Sequence, residues 1–228
     1  MTTEIKICGL NDPEALETAI AEGADLAGMV FFPKSPRHVE FDAAAALAER
    51  ARDRIRLVAL TVDAGDALID AVAGRVRPDM IQFHGRESPD RVREVAERTG
   101  LGTIKAVGVS GAADLARGDA YAGMCDRLLL DAKPPAGADR PGGLGEPFDW
   151  TVLEGYEPGV PWLLAGGLTP ESVAGALAVS GAPGVDVSSG VESAPGVKDP
   201  ALIRDFIRAV RRYDAEQAAR QQQVRTSA

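Results

Sequence analysis

The chain has 228 residues, of which 45% are hydrophobic and 26% charged, so it can bury a sizeable core as one large domain or two small ones. A net charge of −9 leaves no excess of Lys and Arg to neutralise phosphates, which argues against broad nucleic-acid binding but not against one small anionic substrate. The two cysteines, Cys8 and Cys125, make no disulfide framework, the N-terminus carries no signal-peptide pattern, and no apolar run approaches the ~20 residues of a membrane span; a cytoplasmic protein with no membrane partner is expected.

Short apolar runs rich in β-branched residues recur along the chain, each leading to an Ala-rich amphipathic stretch. Ile5 to Cys8 comes first, followed by a Gly9 turn and a helix start in which Asp12 caps and Pro13 takes the first position. Leu26 to Phe32 leads through PKSPRHV to a helix near Asp42. Leu57 to Val62 precedes a helix after Asp66, and Met80 to Phe83 leads through HGRE to a helix capped by Ser88 with Pro89 behind it. Thr103 to Val107 is followed by a helix from about Ala112. Arg127 to Leu130 ends at Asp131 and opens a long Pro/Gly-rich loop over 132–147, with order resuming near Phe148. Pro161 to Leu164 ends in Ala165-Gly166-Gly167 before a helix start at Thr169-Pro170-Glu171. Val185 to Val187 ends in Ser188-Ser189-Gly190, and the last helix starts near Asp199-Pro200 with Leu202, Ile203, Phe206, Ile207 and Val210 at helical spacing.

Eight strand-then-helix units in about 210 residues mean parallel strands joined by helical crossovers. An open doubly wound sheet has the same alternation. Eight units with no leftover strand and no linker favour an α/β, single-domain (β/α)8 TIM barrel over 1–213, with 214–228 a polar tail, either a helical extension or disordered.

In such a barrel the C-terminal strand ends carry the chemistry. They hold Cys8 and Gly9, Lys34 and Arg37, Asp63, His84, Asp131, Gly166 and Gly167, then Asp186, Ser188, Ser189 and Gly190. The glycine turns after strands seven and eight stand where backbone N–H groups cradle a phosphate, although tight turns alone would also explain them. Cys8 should face the barrel mouth and can take a carbon-bound proton as a thiolate; most single cysteines are instead small buried apolar residues, as Cys125 at the opposite face is expected to be. Asp131 can serve as a buried general acid, and Arg37 as a bidentate grip on a carboxylate. His84 orients a neighbour or caps a loop, and two histidines make a multi-His catalytic metal improbable.

KICGL at Lys6 to Leu10, FFPKSPRHV at Phe31 to Val39, QFHG at Gln82 to Gly85, LLLDAK at Leu128 to Lys133, FDW at Phe148 to Trp150, LAGGLTPESV at Leu164 to Val173 and GVDVSSGVE at Gly184 to Glu192 fall in one order. Together they closely resemble the phosphoribosylanthranilate isomerases of tryptophan biosynthesis, over about residues 4 to 212. The resemblance implies an Amadori rearrangement of a phosphorylated small molecule with no cofactor and no metal. It implies Asp131 as general acid, Cys8 as general base and Arg37 on the anthranilate carboxylate. Gly166, Gly167, Ser189 and Gly190 would hold the phosphate, with Ser188 and His84 also at the substrate, and Asp186 would orient substrate or support the acid.

Two departures stand out. Asn11-Asp12 replaces a common Thr-Arg, removing an Arg contact, and Leu144 replaces a common hydroxyl residue after the paired glycines. A dual-substrate isomerase of the histidine pathway would carry an aspartate where Cys8 stands and a second glycine-rich cradle. The sequence has neither, and a metal-dependent epimerase lacks its histidines. A catalytically dead binding barrel would not need Cys8, Asp131 and Arg37 together. Monomer or homodimer is left open.

Overall fold

A computed structural model describes residues 2–133, 142 and 148–226. The expected loop over 132–147 and the Leu144 departure fall almost wholly outside them. Eight strands, β1 (Glu4–Cys8), β2 (Leu26–Phe31), β3 (Arg56–Thr61), β4 (Met80–Phe83), β5 (Gly102–Val109), β6 (Arg127–Ala132), β7 (Trp162–Leu164) and β8 (Gly184–Val187), close into a parallel barrel. β1 pairs with both β2 and β8, which closes the ring. An antiparallel hairpin, β9 (Glu192–Ala194) and β10 (Val197–Lys198), follows β8.

The helices are α1 (Pro13–Ala21), α2 (Phe41–Ala51), α3 (Asp66–Ala71, continued by a π-turn over Val72–Val76), α4 (Pro89–Thr99), α5 (Leu115–Asp119), α6 (Val173–Ser180) and α7 (Pro200–Thr226). Two expected caps form: Asp12 Oδ1 accepts from Ala15 N at 2.9 Å and Ser88 Oγ from Arg91 N at 3.2 Å. Between β6 and β7 the described residues hold a 3₁₀ turn, Trp150–Leu153, capped by Asp149, whose Oδ1 accepts from Thr151 N. The start at Thr169 is also a turn before it is a helix. Thr169 N donates to Ser172 Oγ and Ser172 N to Thr169 Oγ1, a reciprocal box that leads into α6 at Val173. α7 runs unbroken through the polar tail to Thr226, and among the described residues no helix is long and apolar enough to cross a membrane.

Most strands are buried along nearly their whole length, since helices cover the outside and side chains fill the lumen. The register sorts the inward side chains into layers. From the middle upward these are Lys6, Val58, Ile104 and Leu163; then Gly28, Gln82, Leu129 and Asp186; then Cys8, Leu60, Ala106 and Ala165; and at the mouth Val30, His84, Asp131 and Ser188. The lower opening is closed by Glu4, which accepts from Arg56 and Arg127.

Candidate active site

The polar side chains of the lumen gather in its upper layers, in two groups. The first lies across β4 and β6. Asp131 is 8% exposed; its Oδ1 accepts from Ala132 N at 2.9 Å, and its Oδ2 stands 3.3 Å from His84 Nε2. Behind the histidine, Gln82 Nε2 lies 2.9 Å from His84 Nδ1, so a donating amide puts the imidazole proton on Nε2, facing Asp131. Among the described residues Gln82 Oε1 is buried without a partner. Turning the amide would let Oε1 accept an Nδ1–H and leave Nε2 to accept from a protonated Asp131, so the trio accommodates the carboxyl in either proton state. Gly142 packs so closely on the pair that a Cβ there would stand 2.6 Å from both Asp131 Oδ2 and His84 Nε2.

The second group spans β8, β1 and β2. Cys8 is buried, and burial pushes its thiol above the ordinary value, opposed by the Lys6 ammonium and reinforced by the Asp186 carboxylate. Lys6 and Asp186 pair in register on β1 and β8 and form an ion pair of 2.7 Å inside the barrel. Burial pulls Lys6 down, but Asp186 and Cys8 outweigh it and hold the ammonium above its usual range. Ser188 Oγ donates to the Cys8 carbonyl at 3.1 Å, tying the β8 loop to β1. Cys125, by contrast, lies on the far side of the barrel, with its thiol 3.6 Å from Tyr121 O and pushed up to about 11 by burial.

Arg37 reaches the same side of the mouth from the β2 loop, but its fork does not wait for a ligand. Its Nε and Nη2 donate to Glu192 Oε1 and Oε2 at 2.7 and 2.9 Å, with both side chains buried. The bidentate edge expected for a substrate carboxylate is therefore committed to the chain itself. Glu192 also accepts from Lys198 Nζ at 2.7 Å and from Gly196 N at 3.2 Å, and its carboxyl is held below the usual range by Arg37 and Lys198 against the opposing effect of burial. Asn11 Nδ2 donates to Gly196 O at 3.2 Å, so the residue that replaces Thr in the β1 loop ties that loop to the same hairpin.

After β7, Gly166 and Gly167 turn with φ of +85° and +68°. Ser189 and Gly190 open the 3₁₀ turn after β8, and Gly190 lies directly against the Leu168 carbonyl, which brings the two glycine turns side by side. Among the described residues no backbone carbonyl accepts from Gly167, Ser189 or Gly190 N–H. Asp63 serves structure: its Oδ1 accepts from Arg86 N at 2.6 Å; Lys34 is exposed.

Of the predicted residues, Asp131 and His84 meet directly, Cys8 and Asp186 meet through Lys6, and Arg37 stands with Glu192. Lys6, Gln82, Glu192 and Lys198 were missed as site residues. For Lys6 a signal existed, because two residues before Cys8 on a strand is the same face.

A closed (β/α)8 barrel with a carboxyl group and a thiol on separate strands of its mouth, and two glycine turns after β7 and β8, belongs to the acid–base enzymes of that fold. Residues 5–209 match the family model described as N-(5'-phosphoribosyl)anthranilate (PRA) isomerase. The chain is 56% identical over 211 residues to the N-(5'-phosphoribosyl)anthranilate isomerase of Rhodopseudomonas palustris strain HaA2, covering 92% of this chain and 97% of that one. Among solved structures, the phosphoribosyl anthranilate isomerase of Thermotoga maritima superposes with a TM-score of 0.83 at 36% identity, covering 92% and 99% of the two chains. A phosphoribosyl anthranilate isomerase in complex with reduced 1-(o-carboxyphenylamino)-1-deoxyribulose 5-phosphate gives 0.80 at 34%, with the same coverage. The chain belongs to the N-(5'-phosphoribosyl)anthranilate isomerase family.

Proposed function

We propose that this isomerase of tryptophan biosynthesis converts N-(5-phosphoribosyl)anthranilate to 1-(2-carboxyphenylamino)-1-deoxyribulose 5-phosphate with Asp131 as general acid and Cys8 as general base. The observation that carries the assignment is the separation of the two groups. Asp131 on β6 and Cys8 on β1 line one mouth from strands that are not neighbours, so they can address different atoms of one bound sugar.

Asp131 gives its proton to the ribose ring oxygen as the C1–O bond breaks, and the amine lone pair closes the Schiff base. Cys8 sulfur then takes the C2 proton. The C–H electron pair becomes the C1=C2 bond of an enolamine, which tautomerises to the ketone. His84 supports Asp131 through Oδ2, and Gly142 packs on the pair, which keeps water from the Schiff base. Arg37, its plane set by Glu192, is the contact for the anthranilate carboxylate. The N–H groups around Gly166, Gly167, Ser189 and Gly190, with Ser188 beside them, take the phosphate, and Asp186 orients the substrate from β8. The reading calls on no cofactor and no metal.

The test is the loss of anthranilate fluorescence with substrate generated in situ. Wild type consumes the signal, while Cys8→Ala and Asp131→Asn lose at least about a hundredfold in kcat with folding intact. Full activity in either variant removes that residue from the chemistry.

A further inference from the structure

A buried thiol is a poor base, because taking its charged form out of water is costly. If Cys8 is the base, as proposed above, something in the barrel must favour its thiolate. Three cationic groups stand on its side of the mouth, and two of them, Lys6 and Lys198, act on the thiol. Arg37 is held in a fork by Glu192. Lys198, on β10, has its three N–H bonds accounted for by three oxygens: Ser188 O at 2.8 Å, Ser188 Oγ at 3.3 Å and Glu192 Oε1 at 2.7 Å. Lys6 differs. Its ammonium is fully buried, yet among the described residues it has one oxygen partner, Asp186 Oδ1 at 2.7 Å. Two buried N–H bonds lacking an acceptor are expensive unless something else takes them.

On the same face lies the Cys8 thiol, which bears on the ammonium electrostatically. Lys6 and Cys8 are two residues apart on β1 and face the same way. Gly28 of β2 pairs in register with Cys8, and a Cβ built there would lie 3.0 Å from Cys8 Sγ and 3.2 Å from Lys6 Nζ. Sulfur and ammonium therefore converge on the space that the missing side chain leaves. β2 adds no charge on this side, only Gly28 and Val30; β8 adds Asp186, and β10 adds Lys198 already paired with Glu192.

We propose that Lys6 is a positioning residue that favours ionisation of Cys8 to its reactive thiolate form. Ionisation breaks the S–H bond and releases the proton to solvent, and the electron pair stays on sulfur next to the ammonium. On substrate binding that pair forms a new S–H bond with the C2 proton. Asp186 has two effects: it keeps Lys6 charged, and as an anion it opposes the thiolate. Were the Lys6–Asp186 pair only a clasp between β1 and β8, changing it would leave the ionisation of Cys8 where it was.

The two variants therefore move the thiol in opposite directions, which general damage to the core would not do. In a Cys125→Ala background Cys8 is the single cysteine, and the NMR shift of its Cβ against pH reports its ionisation without reagent access. Lys6→Met raises the midpoint by at least about one pH unit, a tenfold fall in thiolate fraction near neutrality, and the rising limb of kcat/KM moves with it. Asp186→Asn lowers the midpoint. An unmoved midpoint in Lys6→Met, or shifts of the same sign in both variants, overturns the proposal. If Lys6→Met does not fold, Lys6→Gln, which keeps a polar group for Asp186, decides: a higher midpoint supports the assignment, and an equal or lower one sinks it. Full activity in Cys8→Ala would fail the base assignment underneath, whereas an inactive Cys8→Ala with an unmoved midpoint fails Lys6 only.

Discussion

Glu192→Gln is the perturbation that the structure makes most quantitative. Each carboxylate oxygen takes two donors: Oε1 accepts from Arg37 Nε and Lys198 Nζ, both at 2.7 Å, and Oε2 from Arg37 Nη2 at 2.9 Å and Gly196 N at 3.2 Å. The Glu192, Arg37 and Lys198 side chains are 4%, 6% and 0% exposed, so solvent does not screen the interaction. The isosteric amide turns one acceptor into a donor that faces other donors, and takes the shared carboxylate away from two buried cations. Removing one partner of a buried pair costs about 3–5 kcal/mol. With a urea m-value of about 2 kcal/mol per molar, the unfolding midpoint should fall by about 1.5–2.5 M. KM should rise more than kcat falls, because Arg37 loses the clamp that sets its plane while Cys8 and Asp131 keep their surroundings. Urea unfolding and steady-state kinetics on the same preparation test both. A midpoint drop of less than about 0.5 M with KM unchanged would refute the reasoning, since the fork would then be worth no more than an exposed pair.

Other outcomes follow from the same contacts. The Glu192 carboxyl is held below the ordinary 4.5, so its contribution is complete above the unfolded value and disappears as pH falls through the lower folded value; the stability gap between wild type and Glu192→Gln should narrow in urea titrations carried from about pH 6 to about pH 3. Gly28→Ala places a Cβ 3.2 Å from the Cys8 Cα as well as near its sulfur, and should cost about 1–3 kcal/mol with at least a tenfold loss of kcat; unchanged kcat with a native melting curve would contradict it. Lys105 donates to Gly85 O and Glu87 Oε2, both at 2.8 Å, and so holds the chain next to His84; Lys105→Met should lose about 3–5 kcal/mol in urea unfolding and lower kcat, and a variant of wild-type stability would count against that anchor.

The strands were legible because a parallel barrel buries both faces of each one, and continuous apolar runs such as Leu26 to Phe31 survive as a local signal. Their ends came within about two residues. Caps read from a residue and its near neighbours, Asp12 and Ser88, form as expected. α6 starts at Val173, later than the Thr169 signal, because Thr169 and Ser172 first bond to each other. Cys8, Asp131 and His84 could be placed at the mouth from strand ends alone. Arg37 could be placed but not understood, since its partner lies 155 residues away.

By itself the sequence determined the order of elements, the barrel and the motifs that mark the family, because hydrophobic period, turn chemistry and capping depend on residues a few positions apart. Only the tertiary structure decided which charges meet: Lys6 with Asp186 at a separation of 180 residues, Arg37 and Lys198 on Glu192, and Gln82 behind His84. Charge compensation depends on distance and burial, and closing the barrel sets both.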